Sequence, residues 1–178
     1  MDSHTNKSPE GYFLNCVDPG GDTGMSLLHI RPDSFRLLEC ATVRWRPRHG
    51  ENPVATLIQW REEHPGVHHL LYEDFHLRNT KEAASTDTTP LLVIGAIEQM
   101  IFERSPYEQT FAQEPVAAKH IATDDKLERL GLHLGHTHAQ RHVRDANRHA
   151  VAHLTRRRYL PVCQAAFARQ GARAGTNR

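Results

Sequence analysis

The chain has 178 residues and a formal net charge of +1, with 38% hydrophobic residues. That length holds one domain with a sizeable core, and the composition excludes collagen-like and wholly disordered chains. No apolar run approaches the ~20 residues a membrane-spanning helix needs, and the polar start, residues 1–10, lacks an apolar signal region, so a cytoplasmic protein is expected.

Residues 12–17 (YFLNCV) read as a buried strand, stopped by the turn Asp18-Pro19-Gly20-Gly21. Residues 24–30 and 35–45 read as a second and third strand, and their short connections predict an antiparallel meander. Residues 51–64 carry Val54, Leu57, Ile58 and Arg61 at helical spacing, with Pro53 in the first turn and Pro65-Gly66 beyond the end. Residues 67–75 (VHHLLYEDF) read as a fourth strand, and a strand–helix–strand passage implies parallel pairing. A polar loop over 78–89 leads to an apolar helix over 90–103 and a weaker strand over 109–117. Thr123, Asp124 and Asp125 begin a short helix that ends near Gly131. A His- and Gly-containing loop over 132–140 precedes a final helix over 141–158. The order β-β-β-α-β-α-β-α-α predicts an α/β fold: a mixed five-stranded sheet, an antiparallel meander plus parallel strands, flanked by helices. Residues 1–10 are read as a flexible N-terminus, 11–160 as one folded domain and 161–178 as a basic C-terminal tail.

Cys16, Cys40 and Cys163 are scattered and form no C-x-x-C pair. They argue against a disulfide framework and against a cysteine zinc site. Charge is distributed more tellingly than its sum. From Thr155 onward the chain carries Arg156, Arg157, Arg158, Arg169, Arg173 and Arg178 with no acid, which fits either a phosphate-binding tail or a solvated end.

Three stretches bear chemistry. Asp18 is delivered to the end of a buried strand and followed at once by a turn, so its carboxylate can face a cleft; a turn-initiating Asp is the blander account. Asp22, inside the turn, reads as structural. Glu73 sits near the end of an apolar strand, where an ionised carboxylate needs a partner or a metal. Strand parity leaves open whether Glu73 or Asp74 faces inward. In the final helix, His142, Asp145, His149 and His153 are spaced i, i+3, i+7, i+11 and share one stripe. Ala146 and Ala150 beside them would let the helix lie close to a sheet. A strand-1 Asp, a strand-4 Glu and a His-x-x-Asp pair form an oxygen-rich set suited to Mg²⁺ or Mn²⁺. Two such ions about 4 Å apart can hydrolyse a phosphodiester.

The stretches VDPGGDTG at 17–24, LLYEDF at 70–75 and HVRDANRHA at 142–150 occur in this order. In them the chain resembles the RuvC-type Holliday junction resolvases, especially the small RuvC-like resolvases of bacteriophages. The resemblance spans most of residues 11–158 and implies an RNase H-like nuclease domain over 11–160. It implies Asp18, Glu73, His142 and Asp145 as the metal-binding catalytic set, with Asp or His found in the family where His142 stands. It further implies a homodimer acting on opposing strands of branched DNA, in repair, recombination or trimming before packaging. The loop carrying His76, Arg78 and Lys81 resembles a DNA-contacting loop. Lys119, Lys126, Arg129 and the run Arg156, Arg157 and Arg158 are further candidates for phosphates, contacts that position DNA without reading its sequence. The apolar helix 91–102 could serve core and dimer interface together. Rival readings are a nuclease for flaps or RNA–DNA hybrids, a nucleic-acid-binding protein without catalysis, and a zinc-binding, non-catalytic module on His133, His136, His138 and His142. Structural zinc sites usually include cysteine, which tells against the last.

Overall fold

The computed structural model describes residues 11–49, 51–75, 87–135 and 137–168. Three strands come first: β1 (Tyr12–Asp18), β2 (Asp22–Ile30) and β3 (Phe35–Arg44). They form the expected antiparallel meander, with Asp18 opposite Gly24 and Gly24 opposite Thr42. Helix α1 (Pro53–Glu63) starts at the Asn52 N-cap, whose side chain accepts from the Val54 N–H at 2.9 Å, satisfying one orphan donor of the first turn. β4 (His68–Glu73) then pairs parallel to β1. After α2 (Thr89–Arg104), β5 (Gln109–Gln113) pairs parallel to β4. The sheet is mixed and five-stranded, in the order β3-β2-β1-β4-β5.

Alternation along the strands sorts the core into two layers. Leu14, Cys16, Leu28, Ile30 and Leu71 face one side, with Ala146, Ala150, Val151 and Leu154 of α5 (His138–Arg156). Val17, Met25, Leu27, Leu70 and Tyr72 face the other, with Leu57 and Trp60 of α1 and Val93, Ile97 and Met100 of α2. Helices therefore cover both faces. A buried polar group lies in the second layer: Asn15 donates from Nδ2 to His68 Nδ1 at 3.1 Å and to the His69 carbonyl at 3.0 Å. His68 Nε2 donates to the His64 carbonyl at 2.7 Å, which leaves Nδ1 free to accept.

The boundaries differ most from the sequence expectation in three places, each with a local cause. β5 stops at Gln113 instead of 117, because Pro115 has no N–H to continue the ladder and opens a further helix, α3 (Pro115–Ile121). The final long helix starts at His138, not 141, because Thr137 and Gln140 close a capping box. It ends at Arg156, and Arg158 takes a left-handed φ of 56°. The chain then starts a new helix, α6 (Leu160–Phe167), whose Val162 and Ala166 are buried. The stretch read as the opening of the basic tail is thus packed on the core beside α4 (Asp124–Arg129) and α5. No helix among the described residues is long and apolar enough to cross a membrane.

Candidate active site

The parity left open by the sequence is settled by the layers. Glu73 shares a side with Leu71, and Asp18 with Cys16, so both carboxylates face α5. They end adjacent parallel strands: Val17 pairs with Tyr72, one residue before each acid. Residues 14–17 and 70–72, just before the acids, are buried, and the strands end at the acids.

Helix α5 crosses this end of the sheet at very close range. Gly24 of β2 makes the approach possible: a Cβ there would sit 2.0 Å from the His142 carbonyl oxygen, 2.1 Å from its carbon and 2.7 Å from the Val143 nitrogen. Thr42 Oγ1 also donates to the Ala139 carbonyl at 2.6 Å. Ala146 and Ala150 continue the close contact further along the helix.

This seating brings side chains from β1, β4, β5 and α5 together. His142 Nδ1 lies 3.5 Å from Asp18 Oδ2. His149 Nε2 donates to Glu73 Oε2 at 2.7 Å, while Gln113 Nε2 donates to His149 Nδ1 at 3.2 Å. In that pair of contacts Nδ1 accepts and Nε2 donates. Ligand atoms of Asp18, Glu73 and His149 all fall within 4.8 Å of one another. Asp145 is one turn from His142, close enough for its charge to act on both Asp18 and His142. Its carboxylate is bonded to Arg148, which also reaches Asp124. Asp18 is therefore paired with His142 and Glu73 with His149, whereas Asp145 stands beside them, held by an arginine.

The electrostatics follow from that crowding. Burial pushes the Asp18 carboxyl above the usual range; the His142 hydrogen bond opposes this, and the charges of Glu73 and Asp145 add to it. His142 is raised, chiefly by its hydrogen bond to Asp18, against the effect of burial. A buried carboxylate repelled by two others is unfavourable without a cation. The donor set is mostly hard oxygen, which fits Mg²⁺ or Mn²⁺.

His149 and Gln113 were missing from the sequence-derived set. His149 lies on the recognised stripe of α5, which was the available signal; Gln113, on a strand edge, offered none.

No protein-family model matches the chain, and no curated protein matches it. Among solved structures, T. thermophilus RuvC in complex with a Holliday junction substrate is similar, with a TM-score of 0.59 and 18% sequence identity. The match covers 84% of this chain and 97% of that one. The fold is RuvC/RNase H-like.

The expected phosphate contacts fall in different places. His76, Arg78, Lys81, Arg169, Arg173 and Arg178 lie outside the described residues, as does His136 of the rival zinc reading. Lys119 is exposed on α3. Lys126 is engaged internally: Nζ donates to the Ile121 carbonyl at 2.6 Å and lies 4.2 Å from the centre of the Phe167 ring. Arg129 donates to the Ala166 carbonyl at 3.3 Å. Arg156, Arg157 and Arg158 sit at the far end of α5, about 21 Å or more along the axis from His142 at 1.5 Å per residue. Arg157 there stacks on Phe111 at 4.5 Å.

Proposed function

We propose that this protein is a divalent-metal-dependent endonuclease of the bacteriophage resolvase kind, which cuts four-way junctions and other branched DNA as a homodimer. The observation that carries the reading is the placement of Asp18 and Glu73. They stand side by side at the ends of β1 and β4, on the face that α5 covers with His142 and Asp145. That placement occurs on the sheet of a RuvC-like fold.

Asp18, Glu73, His142 and Asp145 would hold two Mg²⁺ or Mn²⁺ ions. When bound, such ions supply a deprotonated water and neutralise charge on the leaving oxygen of the phosphodiester. The chain's own residues hold the arrangement. His149 donates to Glu73 and is itself fixed by Gln113. Arg148 restrains Asp145 against Asp124. The seat at Gly24 sets how near His142 comes to Asp18. Outer partners of this kind orient ligands and sustain metal affinity. For the second copy, the outward side of α2 is available, where Leu92 and Phe102 are 55% and 84% exposed.

The test is cleavage of a labelled synthetic four-way junction, compared with linear duplex, a flap and an RNA–DNA hybrid, in Mg²⁺, Mn²⁺ or EDTA. The expected result is metal-dependent cutting of the junction with the duplex spared. Asp18→Asn should abolish cutting and leave junction binding largely intact. Preferential cutting of the hybrid or flap would replace the substrate, and undiminished cutting by Asp18→Asn would overturn the site.

A further inference from the structure

We propose that Asp22, His138 and His142 form a second metal site, specific for a zinc-class transition-metal ion, that borrows His142 from the acidic site. Two groups of metal-capable side chains occur among the described residues, and this is the one whose Asp22 and His138 the nuclease reading does not use. One ligand atom from each of the three lies within 4.8 Å of the other two. His138 and His142 are four residues apart on α5, so their rings share a face, with centroids 5.1 Å apart. Asp22 opens β2 on the same side of the sheet, and its Oδ2 is 3.9 Å from His138 Nδ1.

Three details favour a metal over a loose surface cluster. Tetrahedral zinc, with bonds of about 2.0–2.1 Å, spaces its ligand atoms roughly 3.4 Å apart. The group must therefore contract by at most about 1.4 Å, and His138, 71% exposed, is free to turn. Arg44 Nε donates to Asp22 Oδ1 at 2.8 Å, so one oxygen is held while Oδ2 faces the histidines; an outer partner of this kind orients a ligating carboxylate. Three protein ligands leave a fourth position, and Asp22 and His138 line a cleft of about 460 Å³ together with Thr42, Arg46 and Glu51, which gives room for a further ligand. Two imidazoles and one carboxylate suit Zn²⁺, whereas Mg²⁺ prefers the oxygen-rich set at Asp18. His133, the first of the histidine run in the sequence, is not a member: its Nε2 meets Arg144 Nη1 at 3.1 Å.

We expect the two sites to compete for the His142 ring. Its Nδ1 is 3.5 Å from Asp18, and recruitment toward Asp22 and His138 takes it away. Zinc bound here therefore inhibits Mg²⁺-dependent cleavage. That consequence rests on the proposed nuclease function; the binding does not.

The binding test uses the full chain carrying Asp18→Asn and Glu73→Gln, which disables the acidic site, in excess Mg²⁺. Co²⁺ is titrated by visible absorption and Zn²⁺ by calorimetry. One ion per chain is expected, with the intense visible bands of tetrahedral Co²⁺. Adding Asp22→Asn, His138→Ala or the milder His138→Gln should each weaken binding by more than about 100-fold, beyond the 10–100-fold typical of an outer partner. Circular dichroism in EDTA reports whether each variant is folded. Binding that survives both substitutions, at whatever other histidines, overturns the site. In the otherwise unaltered chain, His138→Ala should keep the Mg²⁺-dependent rate and lose the zinc inhibition; inhibition that persists overturns the sharing of His142. If no variant cuts DNA, the nuclease reading fails while the absorption result still stands or falls by itself.

Discussion

Replacing Gly24 by Ala tests how the site is assembled, because the substitution touches no chemical group. The added Cβ would lie 2.1 Å from the His142 carbonyl carbon, and ordinary contact begins near 3.4 Å, so α5 must retreat by about 1.3 Å. Backbone on both sides leaves no flexible side chain to absorb the shift. If the helix moves straight outward, the 3.5 Å contact between His142 and Asp18 stretches toward 4.8 Å, which is the sum of 3.5 and 1.3. Overpacking of this kind costs about 1–3 kcal/mol, a fall in Tm of roughly 2–12 °C at about 2–4 °C per kcal/mol for a chain of this size. Misplacing a catalytic group by about 1 Å can cost roughly 100-fold in rate. Thermal unfolding in EDTA and single-turnover junction cleavage in Mg²⁺ measure the two effects. Gly95→Ala is the control, since Gly95 lies in α2 with open space around its Cβ position, and should be neutral or stabilise by up to about 1 kcal/mol. A Gly24→Ala protein with unchanged Tm and unchanged cleavage would refute the close seating of α5 on β2.

Other substitutions probe neighbouring links. Asp18→Asn should raise the Tm in EDTA, because it removes a buried carboxylate crowded by Glu73 and Asp145; the wild type should regain or exceed that Tm in Mg²⁺ while the variant does not respond. His149→Ala leaves Glu73 without its donor and should weaken metal binding about 10–100-fold by calorimetry, as loss of an outer partner does. His153, pushed down to about 4 by burial and then by the Arg157 charge, stays neutral in the folded protein. The unfolded chain takes up that proton from about pH 6.5 downward. Stability is thus whole above about pH 6.5 and lost between there and about pH 4, by roughly 2 kcal/mol at pH 5 from this group. Urea unfolding at pH 7.5 and 5 should show the loss shrink in His153→Phe.

Legibility differed between elements for physical reasons. The meander, α1, β4 and α2 were readable because each pairs a clear period with turn or proline punctuation, as in Asp18-Pro19-Gly20-Gly21 and Pro65-Gly66. The start of α5 was misplaced because histidines and glycine hid the capping box at Thr137 and Gln140. Helix α3 was hidden by the strand-like run before Pro115. Asp18, Glu73, His142 and Asp145 could be nominated from their settings, since an acid at the end of an apolar strand needs a reason. The Arg148 clamp on Asp145, the support of Glu73 by His149 and Gln113, and the proximity of Asp22 to His138 could not. The last two depend on where α5 lands, which is a property of the assembled sheet, and the clamp is completed only by Asp124 of α4.

The buried link from Asn15 to His68 bears on the distance between the two carboxylates. Antiparallel neighbours have a hairpin to set their alignment, but parallel β1 and β4 are separated in the chain by β2, β3 and α1, so no short connection stops one from sliding past the other. A slip of one residue would turn Glu73 to the α1 side and bring Asp74 to face Asp18. Asn15 works as a vernier stop: its amide finds both a ring nitrogen and a carbonyl in only one alignment. Filling that position with valine could make the protein harder to unfold while blurring the spacing of its acids. The polar pair gauges a length three residues away from where that length is used.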